Sequence, residues 1–502
     1  MTSIAHQGRV NDDTGDMSAS LPGSGPSRRL GLALVVICLT AEASGASTGW
    51  RHDGTGRYPA TGPPRSWNLD IDEHVLWRTA LPDWANSSPI VVGQQIFVTS
   101  EPSTLLALST RNGKVTWQDG VTVVDALPGP EAKRARAAID KARAAETQLK
   151  TVQREHRTLL RTLRRRSKDT DRAAQQSRLT ALERQQSALR AQIERADRYW
   201  SRPRHDTIGY AAATPVSDGA HVYAVYGTGV VVGYTVSGER RWLRWLGEPH
   251  RPMRGNPYGH ASSPLLVGGR LIVGLGSLQA LDPATGEVRW RAGIYDDFGT
   301  PAAIDVRGTP AVATPRGLVH RASDGALLAD VAANTMYVGP VTDGERVYWV
   351  GSTVAADTAT GGDYASWAMA VTSDALDAGG NQVAPLWRVA LGQSAIYASP
   401  AADAGVLHVV DRGGVLTLLD GRTGEILGKH DLAMGMVSAS PVIADGWLYL
   451  FGEDGRAVVG IAGRSFRFHG RARTEGGRAT PFAAGARLYL RGTTSLISLG
   501  ER

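Results

Sequence analysis

A small residue followed by proline recurs eight times in this chain, at Pro89, Pro215, Pro264, Pro301, Pro340, Pro400, Pro441 and Pro481, and each opens a similar run of short strands. The best-preserved copy, SSPLLVGGRLIVGLGSLQALDPATGEVRW from Ser262 to Trp290, reads as strand, turn, strand, turn, strand, an Asp-x-x-Thr-Gly turn and a closing strand that ends in Trp. A lone four-stranded sheet has two faces and two edges to protect. Repeated along one chain, such units are stable when packed radially around a common axis. The repeat therefore predicts an all-β protein, an eight-bladed β-propeller.

The copies start at Ser87, Ala213, Ser262, Gly299, Val338, Ala398, Ala439 and Ala479, mostly about forty residues apart, the spacing of a four-stranded unit. Two intervals are longer: one holds a charged helical insert, the other the loops TVAADTATGGD and SDALDAGGNQVAP. QIFVTS, HVYAVY, RLIVGL, RVYWVG, VLHVV and WLYLFG read as second strands, rich in β-branched and aromatic residues and bounded by Gly, Asp or Asn. LLALS, VVGYTV, LQALD, LVHRAS, WAMAVT, LTLLD and SLISL read as third strands. Gly113, Gly286, Gly325 and Gly424 are placed to supply the positive φ of the tight turns that follow.

The last copy ends soon after SLISL and has no fourth strand, whereas VLWRTAL, Val75 to Leu81, has the Trp-bearing pattern of a fourth strand and no blade of its own. It is expected to complete the eighth blade and so remove the free edges of the ring.

Between the first and second blades, residues 131–200 hold almost no Gly or Pro and carry 19 Lys plus Arg against 9 Asp plus Glu, a net charge of +10 in a chain whose total is +7. Ala135, Ala138, Ala142, Ala145, Leu149, Val152, His156, Leu159 and Leu163 recur at steps of three and four, as do Leu179, Leu182, Gln186, Leu189 and Ile193, with RRRSKDTD between the two runs. That is the spacing of a coiled-coil seam. Its ends must return to neighbouring blades, so the insert is expected to be an antiparallel α-helical hairpin with arms of roughly 45 Å. Arg161, Arg164, Arg165, Arg166 and Lys168 cluster near its tip, either as a solvated helix end or as a contact for an acidic partner, such as an envelope protein or an anionic envelope surface. Nucleic acid is disfavoured, because no aromatic residues interleave with the cluster for base stacking.

Arg28 and Arg29 precede the apolar run LGLALVVICLT and the small residues AEASGAS, a pattern that reads as a signal peptide cleaved after Ala43 or Ala46. The apolar run is shorter than the ~20 residues a spanning helix needs; retention as an uncleaved N-terminal anchor is the competing expectation. Export to the periplasm or cell envelope of a bacterium follows. Cys38, the single cysteine, lies inside this run, so a processed chain would have no thiol, and Ile37 before it is wrong for lipid attachment. The expected organisation is a signal peptide and leader over 1–46, a lead-in over 47–74, the closing strand and first blade over 75–127, the basic hairpin over 128–202, and the remaining blades over 203–502.

The pattern Ser-Ser-Pro, a Val-Tyr-like strand, then Ala-Leu-Asp-x-x-Thr-Gly-x-x-x-Trp resembles the pyrroloquinoline-quinone-type repeat, from Trp67 to Arg502 apart from the insert, with Trp117, Trp290 and Trp387 at blade ends. Copies ending LLADV, ILGKHDL and SFRFHG lack the closing Trp, so docking between blades is expected to differ there. Members of that family include quinoprotein dehydrogenases and non-enzymatic BamB-type outer-membrane assembly factors. The dehydrogenases imply an enclosed quinone, a calcium-like ion, an Asp base and a disulfide between adjacent cysteines; this chain has none of the cysteines that requires.

No other chemistry stands out. Asp296 with Asp297, Glu453 with Asp454, His205 with Asp206, and His52 with Asp53 are acidic or acid–base pairs in turn-like contexts. Asp297-Phe298-Gly299 matches a kinase metal motif without its companions, Gly227-Thr-Gly229 reads as a hairpin, and Asn86-Ser87-Ser88 is a glycosylation sequon that overlaps a blade start. No catalytic, cofactor-binding or metal residue is expected. The sequence reading is a non-enzymatic, BamB-like envelope scaffold; the alternative is a quinone-dependent dehydrogenase or other small-molecule enzyme that uses the central funnel.

Overall fold

The computed structural model describes residues 47–164, 169–200, 207–248, 259–354 and 364–501. Eight sheets follow one another along the chain, and each opens just after one of the repeated prolines. Blade one, for example, runs Ile90–Val92, Gln95–Ser100, Thr104–Ser109 and Val115–Gly120 in antiparallel order. Blades two to seven span 216–245, 265–295, 302–330, 341–392, 401–431 and 442–473. Blade eight joins 482–499 to the strand Val75–Ala80, which lies antiparallel on Ser495–Leu499. The spare Trp-bearing strand therefore closes the ring.

Blade three departs from the expected strand–turn–strand pattern. Arg270–Leu281 is one continuous run of strand, in which Gly276 (φ 72°) sits where the other blades break. The cause is the long fourth strand, Val288–Tyr295, whose end pairs with Gly276 and Ser277 and draws these turn residues into the ladder.

Burial follows position in the blade. Second and third strands are covered on both faces by neighbouring blades and are almost wholly buried, as in Val406–Val410 and Val230–Thr235. Fourth strands alternate, as in Trp387–Gly392, because one face meets solvent. The apolar core is thus a circle of clusters at blade boundaries: Val225 and Trp242 of blade two pack with Leu271 and Val273 of blade three, and Val350 and Ala368 of blade five with Leu407 and Val409 of blade six.

At five boundaries a fourth-strand tryptophan docks on the next blade. The indole N–H groups of Trp77, Trp117, Trp242, Trp290 and Trp387 donate to the carbonyls of Thr110, Val236, Pro283, Ala322 and Gly421 at 2.7–3.0 Å. Each ring covers a turn glycine. A Cβ on Gly325 would lie 2.7 Å from Trp290, and one on Gly424 2.6 Å from Trp387. These glycines do have positive φ, 77° and 76°, but they also leave the gap that the indole fills. Two of the three boundaries without the closing Trp use other contacts. Trp349 of blade five donates back to Thr314 O of blade four at 2.9 Å, and Arg464 of blade seven pairs with Asp420 of blade six at 2.7 Å.

The insert forms two helices, α1 (Gly129–Arg164) and α2 (Asp169–Glu194), which pack together. Gln192 Nε2 donates to Lys141 O at 3.3 Å and Arg178 pairs with Glu155 at 3.1 Å, so the helices run antiparallel. Ala145, Val152, Leu182, Leu189 and Ile193 form their shared core, as the step pattern requires. At about 1.5 Å per residue α1 is roughly 54 Å long. The base rests on the ring through Tyr199, whose ring centroid lies 5.9 Å from that of Trp245 in blade two. Among the described residues no helix is long and apolar enough to cross a membrane; the apolar run around Cys38 and the cleavage positions lie outside the described residues.

Candidate functional site

The lead-in is structured in a way no repeat pattern announced. Thr48 exchanges two backbone hydrogen bonds with Ser217 on the innermost strand of blade two, at 2.9 and 2.8 Å. Arg51, fully buried, reaches the carbonyls of Thr55 and Pro400, the latter at the start of blade six. Arg57–Tyr58 then adds as a parallel strand to the inner edge of blade seven, and Tyr58 Oη donates to Pro481 O at 3.2 Å. The segment therefore crosses the axis and plugs the channel from within. The signal available in the sequence was a Trp, Tyr and Gly-rich stretch before the closing strand; Arg51 and His52 turn it back with φ of 56° and 66°.

Above the plug, with Trp50 contributing to its lining, lies an axial funnel of about 400 Å³. Seven of the eight residues that precede the repeated prolines line it, and they are chained around the ring. The N–H of Ser88 donates to Thr214 Oγ1 at 2.9 Å, that of Thr214 to Ser263 Oγ at 3.0 Å, and that of Ser263 to Thr300 Oγ1 at 3.0 Å. The N–H of Gly339 donates to Ser399 Oγ at 2.9 Å, that of Ser399 to Ser440 Oγ at 3.1 Å, that of Ser440 to Thr480 Oγ1 at 3.0 Å, and that of Thr480 back to Ser88 Oγ at 3.0 Å. Only Gly339 supplies no hydroxyl. Each bond satisfies a buried donor across a blade boundary, which is why a small hydroxyl residue recurs before proline.

One side of the funnel is aromatic. Phe298 and Tyr337 stack in parallel with centroids 5.4 Å apart, Tyr397 stands edge-on to Tyr337 at 5.3 Å, and the Arg412 guanidinium lies 5.7 Å from the Tyr397 centroid. On another side Glu453 pairs with Arg478 at 3.1 Å and accepts from Ser438. Its sequence neighbour Asp454 turns away to Arg456 at 3.1 Å, so the two acids do not act together.

The remaining sequence candidates are consumed structurally. Asp296 and Asp297 both hold Arg316; burial pushes the Asp297 carboxyl up to about 6 against that partner. His52 Nδ1 and Asp53 lie 3.9 Å apart in the plug, where burial is outweighed by the nearby His52 and by hydrogen bonds from Thr55, and Asp53 falls to about 2. Asn86 donates its amide to Thr207 O beside the funnel, and Gly229 (φ 92°) forms a hairpin. His205 and Asp206 lie outside the described residues. His156 sits half-buried on the helical seam, 3.5 Å from Glu183. Of the basic tip cluster, Arg161 is exposed on α1 and Arg164 is that helix's last residue; Arg165, Arg166 and Lys168 lie outside the described residues.

A group missed by sequence reasoning joins blades eight, one and two. Arg491, buried, donates to Ser87 Oγ at 2.7 Å, and Glu101 accepts the Ala211 N–H at 2.6 Å. Burial pushes the Glu101 carboxyl up to about 7 despite the backbone N–H groups of Ala211 and Tyr210, and the Arg491 guanidinium down to about 9.

A family model described as outer membrane protein assembly factor BamB matches residues 58–256, 207–364 and 370–465, which together cover most of the ring. The chain belongs to this BamB family of quinone-type repeat propellers. Among solved structures it is similar to BamB from Moraxella catarrhalis (13% identity, 85% of this chain and 96% of that one, TM-score 0.49). It is also similar to a quinohemoprotein alcohol dehydrogenase from Pseudomonas putida HK5 (10%, 90% and 80%, TM-score 0.48) and to the computationally designed Ika8 protein (10%, 85% and 99%, TM-score 0.48). No curated protein sequence matches it significantly.

The quinone chemistry of the dehydrogenase branch can be tested against the residues of this BamB-family chain. A calcium-bound quinone needs several oxygen donors converging on one cation. Among the described residues no three of His, Cys, Asp and Glu converge in that way, and Glu453 in the funnel already faces Arg478. The described acidic residues do not fit that group.

Proposed function

We propose that this BamB-family propeller is an exported, non-enzymatic scaffold of the bacterial envelope that holds an acidic protein face or anionic surface through its hairpin, in the manner of an outer-membrane assembly factor. The observation that carries this reading is the division of labour on the hairpin. Its apolar residues are spent on the seam between α1 and α2 and on the base that meets Val124 and Leu127, whereas Arg134, Arg136, Lys150, Arg154, Arg157 and Arg161 stand exposed on α1. A row of unburied cations on a long arm suits a partner recognised by charge. The family match supports protein partners, and the donor set of the funnel gives no support to a quinone dehydrogenase.

Affinity purification from envelope extracts tests the reading by comparing the full chain with one lacking Glu131 to Tyr199. A partner retained by the full chain, lost on deletion and released by salt is the expected result. Partners held equally well without the hairpin would refute its role. Alcohol oxidation by the protein reconstituted with quinone and calcium would overturn the scaffold reading altogether.

A further inference from the structure

We propose that the axial funnel is a binding site for a short acidic oligosaccharide. Three features of its lining converge on that chemistry, and none depends on the hairpin.

The first is the hydroxyl ring. In Ser88, Thr214, Ser263, Thr300, Ser399, Ser440 and Thr480 the oxygen accepts a neighbour's N–H, and all seven line the funnel. Among the described residues none of these seven hydroxyls donates its own proton to a protein acceptor. These residues are 2–7% exposed, and each hydroxyl has a donor and a second lone pair that no described protein group takes. A wall of neutral groups that both donate and accept matches a ligand rich in hydroxyl and ring oxygens, and its placement around the axis matches oxygens that radiate from the rim of a sugar ring.

The second is the flat apolar surface. Trp50, Phe298, Tyr337 and Tyr397 line the same cavity, and the C–H faces of a pyranose pack against such rings while its rim stays free for hydrogen bonds. At about 400 Å³ the funnel falls in the range of pockets that hold small organic ligands.

The third is charge and length. Arg478 is paired with Glu453, whereas among the described residues no carboxylate pairs with Arg412, which lines the funnel beside Tyr397 and offers its guanidinium to a ligand carboxylate. Arg412 and Met436 also line a shallower cleft with Tyr364, Gln393 and Ser394. The two spaces share Arg412 and Met436 as lining residues, so in this proposal a chain of sugars runs from the funnel toward the cleft with an acidic group beside the arginine.

Isothermal titration of the full chain with trigalacturonate, maltotriose and triglutamate decides the matter. The expected result is saturable binding of trigalacturonate, about tenfold or more tighter than maltotriose, with no comparable binding of triglutamate. Arg412→Gln and Tyr397→Ala should each weaken trigalacturonate about tenfold, the loss of one charged hydrogen bond or one stacking surface, with unchanged circular dichroism and melting. The hairpin change Arg161→Glu should have no effect, which separates this site from the scaffold reading. Failure of trigalacturonate to saturate, equal binding of maltotriose, triglutamate binding as well as the sugar, or wild-type affinity in both folded variants would each overturn it.

Discussion

The backbone N–H of Thr480 donates to Ser88 Oγ at 3.0 Å, which joins residues 392 apart in sequence. Both precede a blade-opening proline, so this bond closes the hydroxyl chain between the last and first repeats, beside the closure made by Val75–Ala80 on Ser495–Leu499. Removing the acceptor strands a buried N–H. Ser88→Ala should therefore cost about 1–2 kcal/mol, and Ser88→Thr much less, as read from urea midpoints at unchanged m-value. No loss in Ser88→Ala would mean that the closing strand alone holds the ends together.

Gly339 is the one break in the chain, and it should resist repair. A Cβ there would collide with the carbonyl oxygen of Thr300, so the backbones of blades four and five approach too closely for any side chain. Gly339→Ser is expected to destabilise by about 1–3 kcal/mol, the cost of overpacking, although it restores the hydroxyl found in the other seven copies. A rise in melting temperature would show that the blades can move apart.

Trp290 and Gly325 should behave as one unit. Trp290→Ala removes a buried ring and its bond to Ala322 O, at a cost of about 3–4 kcal/mol. In the wild-type background Gly325→Ala adds both a collision with the indole and a positive-φ penalty. In the Trp290→Ala background only the backbone penalty of about 1–2 kcal/mol remains. A double-mutant cycle should thus show coupling of about 1 kcal/mol or more, and strict additivity would separate the two residues.

Glu101 predicts a pH dependence of definite sign. Its carboxyl has an ordinary pKa of 4.5 and is pushed up to about 7 in the fold by burial, with Asp83 adding to the rise and Arg491 opposing it. Between those values the folded state binds more protons than the unfolded one, so stability falls as pH rises from 4.5 to 7 and levels above. The loss attributable to this group is roughly 2–3 kcal/mol. Glu101→Gln should flatten that slope in denaturation curves from pH 4.5 to 8 and exceed the wild type at pH 8. An unchanged slope would place the titration elsewhere.

The ring should fold without its hairpin. Replacing Glu131–Tyr199 by a short Gly/Ser linker removes a seam that is internal to α1 and α2, exposes Trp245 where Tyr199 covered it, and uncovers Val124 and Leu127 where Ala135 and Ile139 pack at the base. A cooperative melt with a modest loss, about 1–2 kcal/mol for the uncovered apolar surface, is the expected outcome. Loss of cooperative folding would make the hairpin part of the propeller core.

The eight X-Pro starts, the second strands and the seam of the insert were legible in the sequence because each is a local periodicity: two residues per strand repeat, three and four per helical step, about forty per blade. The pairing of Val75–Ala80 with the last blade was legible too, since a strand was missing at one end and spare at the other. The roles of particular residues were not local. That Gly325 makes room for Trp290, that the hydroxyls before proline pass a hydrogen bond from blade to blade, and that Arg51 and Tyr58 plug the axis all depend on residues brought together across tens or hundreds of positions. Sequence determined the repeating unit through its periodicity. Only the closing of eight such units around one axis decided what lies at the centre, because burial, close approach and convergence of side chains exist only after the ring has formed.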